Sequence, residues 1–169
     1  NQQDTMPASS SGQRRVAIVL FNLGGPDGPA AVKPFLFNLF NDRNIIGAPQ
    51  QVRWALAKFI STRRAPIAAH VYDQIGGRSP ILPNTEAQGA ALSAALEDLG
   101  LMKCFVAMRY WHPCTEDVAA TVKAWGPDEI VLLPLYPQFS TTTTASSQRV
   151  WEDAARKIGT VVDVIGKIA

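Results

Sequence analysis

Three short apolar runs, residues 16–21, 103–108 and 129–133, divide the chain. Each is followed by a loop rich in glycine, proline or aromatic residues, and then by a stretch with helical spacing. Runs of this length, apolar on both faces, read as strands buried on either side. A fourth run, 161–165, has the same character. After the first run, Asp27-Gly28-Pro29 opens a helix whose apolar face is Phe35, Leu36, Leu39 and Phe40, with Pro34 in its first turns. Residues 41–49 are a polar, proline-ended connection. A second helix is expected over 50–61, broken by Arg63-Arg64-Ala65-Pro66, and a third over 66–75, stopped by Gly76-Gly77. Residues 78–83 read as a loop, after which Asn84 caps an alanine-rich helix to about residue 99. Helices at 115–125 and from the Ser/Thr cluster to about residue 158 complete the pattern.

Strand, loop and helix in repetition predict an α/β fold, a doubly wound parallel sheet with helices on both faces in three layers. Ligands of such sheets bind beyond the carboxyl ends of the strands. The loops to watch are therefore 22–28, 109–115 and 134–142. The polar residues 1–15 are expected to be a disordered tail, and 16–169 one domain. Because the sequence stops just after a strand run with no closing helix, the expectation is a fragment of a longer protein.

Composition narrows the function. The chain has 169 residues, 47% apolar and 18% charged, with a net charge of +2. That supports a buried core and excludes charge-driven disorder and a dedicated nucleic-acid binder, while leaving room for a small anionic ligand. Two cysteines, Cys104 and Cys114, make neither a disulfide framework nor a four-thiolate metal site, so a reduced, cytoplasmic setting is the simplest reading. No apolar run approaches the roughly 20 residues of a membrane span.

Four features carry candidate chemistry. The Gly24-Gly25 pair between strand and helix could hold a phosphate, but G-x-G-x-x-G is absent and a tight turn explains it equally. Seven hydroxyl residues in the eight positions 140–147 exceed what capping needs. Arg109-Tyr110-Trp111-His112 joins a permanent cation, two rings and an imidazole at a strand end. A lone histidine is more often structural than catalytic, and neither His112 nor His70 has a recognised metal-ligand spacing to a cysteine, so no metal site is expected. Arg63-Arg64, lying between helices rich in Phe35, Phe40, Trp54 and Phe59, suits a flat apolar ligand bearing carboxylates, although a basic pair near a helix end needs no ligand to explain it.

The segments Leu20-Phe-Asn-Leu-Gly-Gly-Pro26, Tyr72-Asp-Gln-Ile-Gly-Gly-Arg-Ser-Pro80, Met108-Arg-Tyr-Trp-His-Pro113 and Leu135-Tyr-Pro-Gln-Phe-Ser140 resemble the ferrochelatase family, in the same order and at similar intervals. The resemblance implies an enzyme inserting ferrous iron (Fe2+) into protoporphyrin IX to make protoheme, built from two doubly wound domains of which this chain is the N-terminal one. It implies a porphyrin wall of Leu23, Arg64, Tyr72, Ser79, Arg109, Tyr110 and Tyr136. The family's principal histidine and glutamate are expected in the other half, leaving the isolated chain inactive. Leu23 replaces a Tyr or Met of other members and cannot ligate iron. A 2Fe-2S cluster is expected only in the other half, since residues 140–144 hold no cysteine. Residues 34–60 resemble the family's membrane-associated entrance, and a homodimer is compatible with the resemblance. The rival reading is a non-catalytic tetrapyrrole or flavin/phosphate-binding, flavodoxin-like module.

Overall fold

A computed structural model of the chain describes residues 14–136 and 142–159. β1 (Arg15–Asn22), β2 (Leu101–Met108) and β3 (Glu129–Pro134) form a parallel sheet in the order β2-β1-β3. Val19 of β1 lies opposite Phe105 of β2 and Leu132 of β3. One sheet face carries Val19, Phe21, Phe105 and Leu132 and is covered by α4 (Thr115–Trp125) and α5 (Thr144–Lys157). Trp151 of α5, 1% exposed, meets Phe21 edge-on at 6.0 Å between centroids. On the opposite face α3 (Ile81–Ala95) lies so close that a Cβ on Gly89 would come 3.1 Å from Leu20. Helices on both faces of a parallel sheet bear out the predicted fold class.

The predicted tail ended at Arg15, but Arg15 opens β1. Its N–H donates to Asp128 Oδ2 at 2.7 Å and its guanidinium to the Trp125 carbonyl, while Arg14 pairs with Glu129. Residues 1–13 and the expected strand at 161–165 lie outside the described residues.

Two helix predictions are corrected. The expected break at 63–66 does not occur: α2 (Gln50–Asp73) is one helix of 24 residues with Pro66 inside it. Ala57, Ser61, Ala65, Ala68 and Tyr72 recur every three or four residues, and this seam packs on α1 (Val32–Phe40) on both sides of the proline. Pro66 is exposed, so the carbonyl that its missing N–H frees on Thr62 can turn to water. The glycine stop holds, with Gly76 and Gly77 at φ +93° and +76° and Gly77 N–H bonded to the Tyr72 carbonyl.

Residues 81–83, expected in a loop, form the first turn of α3. Pro83 is harmless there, because first-turn N–H groups have no intrahelical acceptor. Ser79 Oγ accepts the Ile81 N–H at 3.3 Å, and Asn84 N–H reaches the Pro80 carbonyl at 3.0 Å. Among the described residues no helix is long and apolar enough to cross a membrane.

Candidate functional site

The three strands deliver their following loops to one end of the sheet, where backbone hydrogen bonds knit them together. Arg109 N–H donates to the Asn22 carbonyl, Tyr110 N–H to the Leu23 carbonyl and Leu135 N–H to the Phe21 carbonyl. The Asn22 side chain fixes the first loop, accepting the Leu23 N–H at 2.9 Å and donating to Thr85 Oγ1 of α3 at 3.2 Å.

The α1–α2 hairpin stands over this end. Val32, Phe35, Leu36 and Tyr110 form its buried apolar cluster. Leu23 and Tyr72 pack against the cluster as half-buried members. Burial raises the Tyr72 hydroxyl above its ordinary pKa, so it stays a neutral donor. Arg64 is exposed, its guanidinium 5.9 Å from the centre of the Phe40 ring, and Phe40 belongs to the same cluster. Leu23, Tyr72, Tyr110 and Arg64 thus share one neighbourhood.

Arg109 and Tyr110 converge on a residue that sequence reasoning passed over. Asp42, in the connection after α1, accepts at Oδ2 both the Tyr110 hydroxyl and Arg109 Nη2, each at 2.7 Å. Its Oδ1 takes the backbone N–H and the side-chain amide of Asn44, at 2.7 and 2.8 Å. Burial by itself would raise the Asp42 carboxyl, but the bonds from Tyr110 and Asn44 and the Arg109 charge outweigh it and hold the group below its ordinary value. Tyr110 is pushed far above the usual phenol range, first by burial and then by its bond to the carboxylate. The one available signal was local: Asp-x-Asn in a polar connection is an Asx-turn pattern.

Ser79 sits against the first glycine turn. A Cβ on Gly25 would lie 2.4 Å from both Ser79 Cβ and Oγ, and one on Gly24, at φ +90°, would lie 3.2 Å from the Trp111 nitrogen. The turn is therefore filled by the protein's own atoms, which speaks against a phosphate cradle there. Tyr136 is half-buried at the end of β3, its hydroxyl 2.9 Å from Ser147 Oγ. Burial raises its pKa, while the Ser147 bond and the Arg109 charge oppose the rise, which puts Tyr136 within electrostatic reach of Arg109. In the hydroxyl cluster, Ser146 Oγ bonds back to the Thr142 and Thr143 carbonyls, so its hydroxyl serves the helix start. Phe139, Ser140 and Thr141 lie outside the described residues.

Hollows take up parts of this set. One of about 330 Å³ is lined by Asn38, Arg109, Tyr110, Trp111, His112 and Cys114 among others. Another of about 220 Å³ brings together Gly25, Asp27, Arg78, Ser79 and His112. A larger one, about 620 Å³, follows the outer edge of β2 between α3 and α4, away from the strand ends. His70 is exposed in the last turn of α2, remote in role from the loops.

A family model described as Ferrochelatase matches residues 15–167. A protein named ferrochelatase from Caulobacter vibrioides (strain NA1000 / CB15N) is 57% identical over 150 residues, covering 86% of this chain and 43% of its own length. One so named from Hyphomonas neptunium is 56% identical over 146 residues, 83% of this chain and 41% of that relative. Another, from Wolbachia sp. subsp. Drosophila simulans (strain wRi), is 52% identical over 145 residues, 85% of this chain and 46% of the relative. The chain spans about half the length, or less, of the curated relatives it matches. With the family model covering nearly all of it and relatives more than half identical along most of its length, the chain belongs to the ferrochelatase family.

Proposed function

We propose that this chain supplies the porphyrin-facing wall of an enzyme that inserts ferrous iron into protoporphyrin IX. The observation that carries the reading is the convergence of Leu23, Tyr72 and Tyr110 on one apolar cluster, edged by the exposed cation of Arg64. An apolar wall bordered by a guanidinium suits a flat macrocycle with carboxylate side arms. Arg64 takes a propionate, and the Tyr72 and Ser79 hydroxyls are donors to the same groups. Leu23 offers only apolar contact to the macrocycle face. Arg109 and Tyr110 direct their polar atoms to Asp42 and so act mainly by holding the wall in shape, while Tyr136 packs on the separate core cluster beneath α4 and α5 and bonds Ser147, which leaves it apart from the wall of Leu23, Tyr72 and Tyr110.

The inner nitrogens of a free-base porphyrin are shielded while the ring is planar. Remote contacts that favour a bent ring expose a lone pair to the incoming metal, so binding energy is converted into a lower barrier. Two protons must leave the ring as the metal enters, and they need a positioned acceptor. That acceptor, a histidine with a glutamate partner, is assigned to the part of the relatives that this chain does not span, as is any 2Fe-2S cluster. By this reading the 169 residues alone insert no metal.

The outward face of α2 is part of the proposal. Val52, Leu56, Phe59, Ile67 and Val71 are 39–70% exposed along it, with Arg63 over the Phe59 ring. Apolar side chains interleaved with cations suit peripheral contact with a membrane surface, along a stripe that runs past the end of the 34–60 segment marked in the sequence.

The test is metallation of protoporphyrin IX, followed by the change in porphyrin fluorescence, with ferrous or zinc ions. Turnover is expected from the full-length gene product and none from the 169-residue chain. No turnover by the full-length product overturns the chelatase reading. Turnover by the short chain overturns the assignment of the proton acceptor.

A further inference from the structure

We propose that His112, Cys114 and Asp117 form a binding site for one divalent transition-metal cation, with zinc as the type ion, on the rim of the loop that follows β2. Their ligand atoms all lie within 4.8 Å of one another, and among the described residues this is the one place where three such donors converge. The Cys114 sulfur is already 3.2 Å from His112 Nδ1. A tetrahedral ion with bonds of about 2.0–2.3 Å holds its donors about 3.3–3.8 Å apart. The sulfur and nitrogen are thus near ligand spacing, and the exposed Asp117 side chain closes the remainder by a change of rotamer.

The fold, not the spacing in sequence, makes the cluster. The backbone of 112–114 turns back on the end of β2: Met108 N–H bonds the Pro113 carbonyl at 2.9 Å, and Cys114 bridges to Met108 as a parallel partner. Cys114 is then the N-cap of α4, and its carbonyl takes the Val118 N–H at 3.0 Å. Asp117, three residues on, comes round to the same side of the first turn. An N-terminal helix turn favours a negative group such as the Asp117 carboxylate. Glu116 is not counted, because it pairs with Lys157 at 3.3 Å.

The donor set specifies the ion. One thiolate, one imidazole and one carboxylate suit zinc, ferrous iron or cobalt and disfavour magnesium and calcium, which take all-oxygen shells. Three protein ligands leave a fourth position for water or an exchanging ligand. His112 and Cys114 line the same hollow of about 330 Å³ as Arg109 and Tyr110, so the ion would sit beside the proposed wall. None of its three ligands belongs to that wall, and the inference does not depend on the porphyrin reading.

The experiment is titration of the reduced, metal-stripped, untagged protein with zinc against a chromophoric chelator, and with cobalt by absorbance. One equivalent is expected, with a thiolate-to-cobalt charge-transfer band. Cys114→Ser should abolish the band and weaken zinc at least about tenfold, and Asp117→Asn, at an exposed position, should weaken zinc similarly. Cys104→Ser should change neither. Absence of stoichiometric zinc binding by the wild-type protein, unchanged binding in Cys114→Ser, or loss of the band in Cys104→Ser instead would each overturn the site.

Discussion

Tyr110 donates its hydroxyl to Oδ2 of Asp42 at 2.7 Å, joining two residues 68 apart in the chain. The bond fastens the loop after β2 to the connection that leads from α1 into α2. Arg109 adds a charge-assisted bond to the same oxygen, and the Asp42 side chain is only 5% exposed. A buried carboxylate with this many donors is stable only while all of them are present.

Replacing Asp42 by asparagine keeps the shape and removes the charge, leaving Arg109 partly buried without its counter-ion. The protein should lose about 3 kcal/mol in urea unfolding, in the range for breaking a buried pair from one side. The loss should depend on pH. Because the folded state holds the Asp42 carboxyl below its ordinary value, its contribution is complete above the unfolded pKa of about 4 and fades as pH falls through the lower folded value. The urea midpoints of wild type and Asp42→Asn should therefore draw together on acidification below about pH 4. A gap that widens there would refute the carboxylate's role.

Arg64 separates binding from stability. It is exposed, and its contact is with the Phe40 ring. Arg64→Ala should leave the unfolding free energy within about 0.5 kcal/mol of wild type. Protoporphyrin affinity, followed by fluorescence titration, should weaken by on the order of 1–3 kcal/mol, as for a lost charged hydrogen bond. Unchanged affinity would remove Arg64 from the site.

Gly25 is a matter of space. A methyl group there would meet Ser79 Cβ and Oγ at 2.4 Å, a distance that packed atoms do not adopt. Gly25→Ala should cost about 1–3 kcal/mol of stability. Ser79→Gly removes both atoms, so the double variant should recover part of that loss in a mutant cycle. Additive losses would show that the strain lies elsewhere.

Pro66 interrupts the hydrogen-bond ladder of a helix that runs straight through it. Pro66→Ala restores an N–H for the Thr62 carbonyl, and the exposed site leaves room for the change. Stability should rise by about 1–3 kcal/mol, and helical circular dichroism should not fall. A destabilised variant would mean that the proline is needed where it stands.

The strands were legible because each is a short apolar run between turn residues. Residues 16–21, 103–108 and 129–133 fall inside β1, β2 and β3. The end of α4 was equally plain, since Gly126 takes the left-handed φ of +70° that glycine adopts at least cost. The helix count was not legible. Pro66 reads locally as a break, and only the seam from Ala57 to Tyr72 packed on α1 keeps the helix whole. Pro80 and Pro83 read as a loop for the same reason, although a proline in a first turn gives up no bond.

Residue identities therefore settle the family, the order of elements and the strand ends where the site must lie, because turn chemistry and apolar periodicity act within a few residues. The meeting of Asp42 with Arg109 and Tyr110, and of His112 with Cys114 and Asp117, belongs to the folded chain. Such contacts depend on how loops are set by elements distant in sequence, and no local preference of any one of these residues encodes its partner.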